Sequence, residues 1–327
     1  MPERFEDSPV FIGGCGRSGT TMLGDMLGAH PQLLTLPEAD FIAEGLRRTA
    51  PGPDRPEKMR RLARGHYMFR ALLSDSAHLA YAGCADRYAG ITARIVTEYA
   101  GLVGGDTAER FVDQTPKTMQ YAASLRAAFN GAKFLHVVRD GRAVAASFLR
   151  VDWGPNEAML AARFWLERLS YGLACELAFP SDIIMRVRYE DLVAEPELEM
   201  RRICSFLGLD FDAAMLRGGG LDNRVVFQSS HRLVGAPPDR RRLDGWRKAL
   251  SPRDIELFEW VAGDMLKHLG YRPDTDGRAV RRPSTAERGT RYLRHLRIKS
   301  VNLIRGNLRF AFAARRRANK FDRQAGT

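Results

Sequence analysis

Seven residues near the amino terminus constrain this chain more than any others. Gly13-Gly14-Cys15-Gly16-Arg17-Ser18-Gly19 follows a short apolar run, Val10-Phe11-Ile12. It precedes a stretch with Met22, Leu23, Met26 and Leu27 at helical spacing. Strand, glycine-rich turn and helix in direct succession turn backbone N–H groups and a helix N-terminus toward an anion. Gly14 and Gly19 fit the spacing G-x-x-x-x-G, but an ATP-binding loop continues with Lys and then Ser or Thr. Here Thr20 stands in the lysine's place and Thr21 in the hydroxyl's. That lysine serves the β- and γ-phosphates of a nucleoside triphosphate. Without it the loop still offers backbone donors, the Arg17 guanidinium and the hydroxyls of Ser18, Thr20 and Thr21. Such a set suits a shorter anion, one phosphate bonded to one sulfate, with no metal required. A divergent P-loop kinase with Asp140 as its metal-binding carboxylate is the competing reading. The missing lysine, and Arg139 directly before that aspartate, speak against it.

The rest of the chain alternates between the two periodicities. His30-Pro31 ends the first helix, because the residue before proline is pushed out of the α region. Leu33 to Leu36 reads as a strand with Pro37-Glu38 at its carboxyl end. Residues 57–75 and 88–103 read as helices, and Arg110 to Val112 as a strand entering Asp113-Gln114-Thr115-Pro116. A helix over 118–129 leads to the most apolar strand, Lys133 to Val138, which ends in Arg139-Asp140-Gly141-Arg142. Helices from about Arg142 and over 157–178 precede a strand from Ile183 to Val187. This alternation predicts an α/β fold, a P-loop-like, mainly parallel sheet with helices on both faces.

Charge sets the domain limits. The chain has a net charge of +12, and residues 275–327 carry 15 Lys+Arg against 3 Asp+Glu, which accounts for all of it. The body, residues 1–274, is balanced, so the basic composition does not point to nucleic acid. The predicted organisation is one domain over 1–274 and a basic amphipathic helical tail over 275–327. Leu293, Leu296, Leu303, Ile304, Leu308 and Phe312 fall at helical spacing in that tail. They fit a helix packed on the body or on a second copy of the chain, and also a contact with anionic membrane or polymer. Cys15, Cys84, Cys175 and Cys204 are scattered and form no CxxC pair, and Met1 to Ser8 is unlike a secretory signal. These features predict a cytoplasmic protein.

Gly16-Arg17-Ser18-Gly19-Thr20-Thr21 resembles the 5′-phosphosulfate loop of sulfotransferases that use 3′-phosphoadenosine 5′-phosphosulfate (PAPS). The likeness is to the bacterial branch related to protein-tyrosine and glycan sulfotransferases, and it extends over most of residues 8–272. The resemblance implies that Arg139 and Ser147 hold the donor's 3′-phosphate. Arg139 should emerge at a strand's carboxyl edge and Ser147 about two turns into the next helix. It also implies that Tyr189 lies near the adenine, although a strand-end tyrosine packed on the core accounts for the residue equally well. Glu38, 21 residues beyond Arg17, matches the spacing of the catalytic glutamate in the tyrosylprotein branch. A glutamate near its ordinary pKa of about 4.3 would accept the acceptor's proton as the new S–O bond forms.

His231, in Ser229-Ser230-His231-Arg232, is the alternative base. His136, inside an apolar strand, reads as a core histidine. Similar enzymes carry a lysine in a segment of the form E/D-K-T/S-P, where it assists the departing phosphate. This chain has Gln114 at that place, with Lys117 three residues on. Gly235-Ala236-Pro237-Pro238 and the run from Arg240 to Arg247, with Arg241 and Gly245, resemble a segment that closes over the donor. The function these residues predict is sulfuryl transfer from PAPS to a hydroxyl of a carbohydrate, phenol or small metabolite. The segment 41–103 is expected to build much of the acceptor pocket. The altered Gln114 position motivates a second reading, a PAPS- or nucleotide-binding module with weak or lost catalysis.

Overall fold

The computed structural model describes residues 4–65, 87–105, 107–149, 151, 154–221, 239–240, 243–275, 278 and 280–301. Five strands, β1 (Val10–Gly14), β2 (Leu33–Leu36), β3 (Arg110–Asp113), β4 (Lys133–Val138) and β5 (Ile184–Arg188), form one sheet in the order β2-β3-β1-β4-β5. Every neighbouring pair is parallel. The expected α/β architecture is present, with helices α1 (Thr20–Gly28), α2 (Asp40–Arg48), α3 (Arg55–Gly65), α4 (Tyr88–Val103) and α5 (Ala122–Ala128) between the first four strands. Later come α6 (Gly141–Phe148), α7 (Ala158–Ala178), α8 (Tyr189–Ala194), α9 (Pro196–Leu207), α10 (Trp246–Ala249), α11 (Pro252–His268) and α12 (285–301).

The strands are apolar on both faces, as a doubly covered parallel sheet requires. Their alternation sorts residues into two separate cores. Phe11, Leu34, Phe111, Phe134 and Ile184 enter one, with Phe129 and the apolar face of α4. Val10, Ile12, Leu33, Val112, Leu135, Val137, Met185 and Val187 enter the other, with α1 and α9. Phe11 sits centrally in the first, stacked on Phe134 at 5.4 Å and edge-on to Phe111 and Phe129.

Two local expectations change. The stretch 118–129 is not one helix: Pro116 opens a 3₁₀ turn over Pro116–Tyr121, and α5 follows only from Ala122. Proline at the first helical position removes a donor that would have no partner there anyway. The helix placed over 57–75 begins earlier, at Arg55, and its part beyond Gly65 lies outside the described residues. Tyr189 follows its strand directly, as expected, and opens α8.

The chain groups into two compact units, residues 1–139 with 167–243 and residues 140–166 with 244–327. The first contains the whole sheet. In the second, Gly141 lies against Trp165 and Phe258, whose rings are 5.9 Å apart. Arg142, 2 % exposed, is held there by Asp140 and Glu259, each at 2.7 Å, over the ring of Trp246. Among the described residues no helix is long and apolar enough to cross a membrane.

Candidate functional site

β1 pairs with β3 on one side and β4 on the other, while the chain leaves β1 for β2 and returns later to β4. The crevice beyond the carboxyl ends of β1 and β4 is therefore the point where the winding reverses. Open parallel sheets take ligands at such points. Register brings the strand ends level: Gly14 lies opposite Val137 and Leu36 opposite Asp113.

The loop after β1 is shaped by backbone conformation. Arg17 has a φ of 71° and Gly19 a φ of 101°. Left-handed geometry is uncommon for a residue with a Cβ. Gly19 is the N-cap of α1 and supplies no side chain to the first-turn amides, which leaves those donors directed into the loop. Ser18 N–H donates to the Cys15 carbonyl at 3.1 Å and closes the turn. Ser18 is 1 % exposed, and its hydroxyl has no hydrogen-bond partner among the described residues. Thr20 is buried, while Gly16 and Thr21 are half-buried.

Arg139 meets this loop. Its Nη1 donates to the Arg17 carbonyl at 2.9 Å, and its guanidinium lies over the Tyr189 ring at 4.0 Å. Gly19 lies against the same ring: a Cβ added there would stand 2.5 Å from Tyr189 Cδ2. Arg17, Gly19, Tyr189 and Arg139 thus form one interlocked group from the ends of β1, β4 and β5. Burial pushes the Arg17 guanidinium below its ordinary pKa, the neighbouring Arg139 charge pushes it further, and Glu38 opposes both. Two adjacent guanidinium groups with one carboxylate make a crevice that favours a polyanion.

Glu38, half-buried, follows β2. The next residue fixes its position, since Ala39 N–H donates to Thr115 Oγ1 at 2.8 Å. Thr115 in turn donates its hydroxyl to Asp113 Oδ1 at 2.5 Å and its N–H to the same oxygen at 3.0 Å. The end of β3 therefore clamps the segment carrying Glu38. Burial pushes the Asp113 carboxyl up to about 6, against the Thr115 hydrogen bonds and with a further push from Asp40.

Gln114 is 2 % exposed, packed where Gly24 of α1 leaves room for it. Its Oε1 has no partner among the described residues. Lys117 Nζ lies 3.1 Å from Asp40 and 3.4 Å from Glu44, both on α2. Burial disfavours its charge, but the two carboxylates outweigh burial and raise its pKa. His136 is fully buried, with Nδ1 2.6 Å from Glu176 and its ring against Gly172. Glu176 also accepts from Arg186. Burial works against the Glu176 charge, yet hydrogen bonds from His136 and Arg186 bring it down to about 2. His136 is the core histidine its strand suggested.

Ser147 is half-buried on α6, in the second unit, and Gly245 precedes α10 in that same unit. Arg241 and His231 lie outside the described residues. The sequence by itself assigns Asp113 and Thr115 no task. The Asp-x-Thr spacing at a strand end, which lets a carboxylate take its second neighbour's N–H, was the available signal.

Comparison with known proteins gives a consistent picture. A family model described as "Sulfotransferase family" matches residues 9–213. Protein-tyrosine sulfotransferase A of Caenorhabditis elegans is 27 % identical over 285 residues, which is 82 % of this chain and 68 % of that one. Nodulation protein NoeE of Sinorhizobium fredii is 25 % identical, over 80 % of this chain and 65 % of its own length. Among solved structures, the sulfotransferase domain of a Synechococcus olefin synthase superposes with a TM-score of 0.54. It is 26 % identical, and the match covers 78 % of this chain and 96 % of that domain.

Proposed function

The chain belongs to the sulfotransferase family, and from that premise we propose that it transfers the sulfuryl group of PAPS to an acceptor hydroxyl, with Glu38 as the base. The observation that carries this reading is the convergence of Arg17 and Arg139 at one crevice, bonded to each other through the Arg17 carbonyl. A donor with phosphate at one end and phosphosulfate at the other needs two cationic anchors, and a triphosphate loop has a different one. The buried Ser18 hydroxyl, which has no hydrogen-bond partner among the described residues, and the uncapped start of α1 fit the phosphosulfate end. Arg139 would hold the 3′-phosphate. Ser147 as its companion, and Arg241 and Gly245 as closing residues, rest on the family resemblance.

In the transfer, the bond from acceptor oxygen to sulfur forms as the bond from sulfur to the bridging phosphate oxygen breaks. The acceptor's proton passes to the Glu38 carboxylate. Charge develops on the departing phosphate, and Arg17 would neutralise it. Gln114 contributes at most a neutral hydrogen bond, and the Lys117 charge is already answered by Asp40 and Glu44. That last pair of observations favours the second reading, a donor-binding protein with weak transfer. The protein-tyrosine relatives make tyrosine phenols a natural acceptor class to assay beside carbohydrates and small phenols.

Calorimetric titration with adenosine 3′,5′-bisphosphate and with Mg·ATP, each with and without EDTA, tests the donor. The bisphosphate should bind without metal, and Arg139→Ala should weaken it by about tenfold or more. A preference for Mg·ATP would overturn the assignment. Glu38→Gln should lower transfer from labelled PAPS by about 10²–10⁴ with bisphosphate affinity retained. Unchanged transfer in that variant would remove Glu38 as base, and bisphosphate binding with no transfer by the native chain to any acceptor would select the second reading.

A further inference from the structure

Residues 285–301 of the basic tail form the helix α12, with one face docked and another turned outward. One stripe of α12 is docked within the second unit. Glu287 pairs with Arg253 at 2.7 Å, Arg291 with Asp254 at 2.5 Å, and His295 Nδ1 accepts from the Asn156 N–H at 3.3 Å. These residues recur every four positions, so they share a face. On the far side, Tyr292, Leu293 and Leu296 are 52 %, 66 % and 41 % exposed. At about 100° per residue these three lie together, nearly opposite the docked stripe. Arg288 and Lys299 border them on one side and Arg297 on the other, all exposed.

We propose that this outward face of α12 is a docking surface for an anionic membrane. An apolar stripe with cationic borders on both sides is the arrangement that lets a helix lie in the headgroup region. Its leucines then reach the acyl boundary, and its arginines and lysine meet anionic headgroups. Tyr292, with an apolar ring and a polar tip, suits the same depth. The charges also argue against a second copy of the chain as occupant. A two-fold contact through this stripe would bring Arg288, Arg297 and Lys299 of both copies together, like charge on like. The sequence extends the same bias, since the tail's 15 Lys+Arg face only 3 Asp+Glu. The docked stripe is engaged in its own ion pairs, so the leucines can be changed without touching them.

The test is co-sedimentation of the full chain with vesicles of pure phosphatidylcholine and of an equimolar phosphatidylcholine–phosphatidylglycerol mixture, at low and high salt. The chain should bind the mixed vesicles, release them at high salt and leave the neutral ones in solution. Leu293→Ser/Leu296→Ser should weaken partitioning by about tenfold or more, since each leucine contributes through buried apolar area. Arg288→Glu/Arg297→Glu should abolish the preference for anionic vesicles. Bisphosphate binding and the thermal transition of each variant report whether the body is intact, independently of any role in transfer. Undiminished binding of the double serine variant would overturn the proposal, because attraction would then come from charge elsewhere in the tail. Self-association that the serine pair abolishes, seen by sedimentation velocity, would overturn it in favour of a chain–chain contact.

Discussion

Asp113 is 1 % exposed and carries one oxygen with no partner among the described residues, yet its other oxygen organises the loop beside Glu38. A carboxylate so placed is costly to ionise, which is why its pKa rises to about 6. The unfolded chain ionises near 3.9. Between those values the native state holds the proton and the unfolded state does not, so this group's stabilisation is complete below the lower value and is lost as pH rises through the upper. Asp113→Asn keeps an oxygen for Thr115 and removes the ionisation. Relative to that variant, the native chain should lose about 1.5 kcal/mol of stability between pH 5 and pH 7.5. Urea midpoints at the two pH values would show it, and parallel midpoints for both proteins would refute it. Tyr189 makes a second residue-scale point. Its ring touches Gly19 and the Arg139 guanidinium, so its packing is explained without reference to any ligand.

At the scale of elements, the start of α1 shows why a glycine stands at its N-cap. Ser, Thr, Asp or Asn would usually cap that turn better. Gly19 instead satisfies two demands that those residues cannot, a φ of 101° and contact with the Tyr189 ring. Gly19→Ala should therefore cost about 1–3 kcal/mol from backbone strain alone, and bisphosphate affinity should fall because Arg139 rests on the displaced ring. Adding Tyr189→Leu should relieve the clash while leaving the dihedral cost. Thermal melts and bisphosphate titrations of the single and double variants separate the two contributions; a single variant as stable and as tight-binding as the parent would contradict this account. The clamp from β3 to the segment after β2 works on the same scale. Thr115 joins two strand ends that are neighbours in the sheet but 76 residues from Ala39 along the chain.

Across the whole molecule, charge is used in two ways. In the second unit a buried cation is fully engaged: Arg142 answers Asp140 and Glu259, while Glu259 also accepts from Asp274 N–H, Thr275 N–H and the Thr275 hydroxyl. Removing the arginine strands two carboxylates, so Arg142→Met should destabilise the chain by about 3–5 kcal/mol. The double variant with Glu259→Gln should lose less than the sum of the two single losses. Additive losses in denaturation midpoints would show that the pair is not coupled. On the outward face of α12, by contrast, Arg288, Arg297 and Lys299 are left exposed. The amino-acid order alone was enough to determine what depends on near neighbours. It placed all five strands within a residue or two, because apolar runs bounded by turn residues need no distant partner to be read. It identified the loop from Gly14 to Gly19 and the separation of charge between body and tail for the same reason. Lys117 shows the limit: from its spacing alone it was free to serve the donor, whereas folding pairs it with Asp40 and Glu44. Only the tertiary structure decided that Arg17 meets Arg139, that Tyr189 touches both Arg139 and Gly19, and that Thr115 holds the segment bearing Glu38. Each of these depends on strand order and register, and those follow from packing among residues many tens of positions apart, which no local window contains.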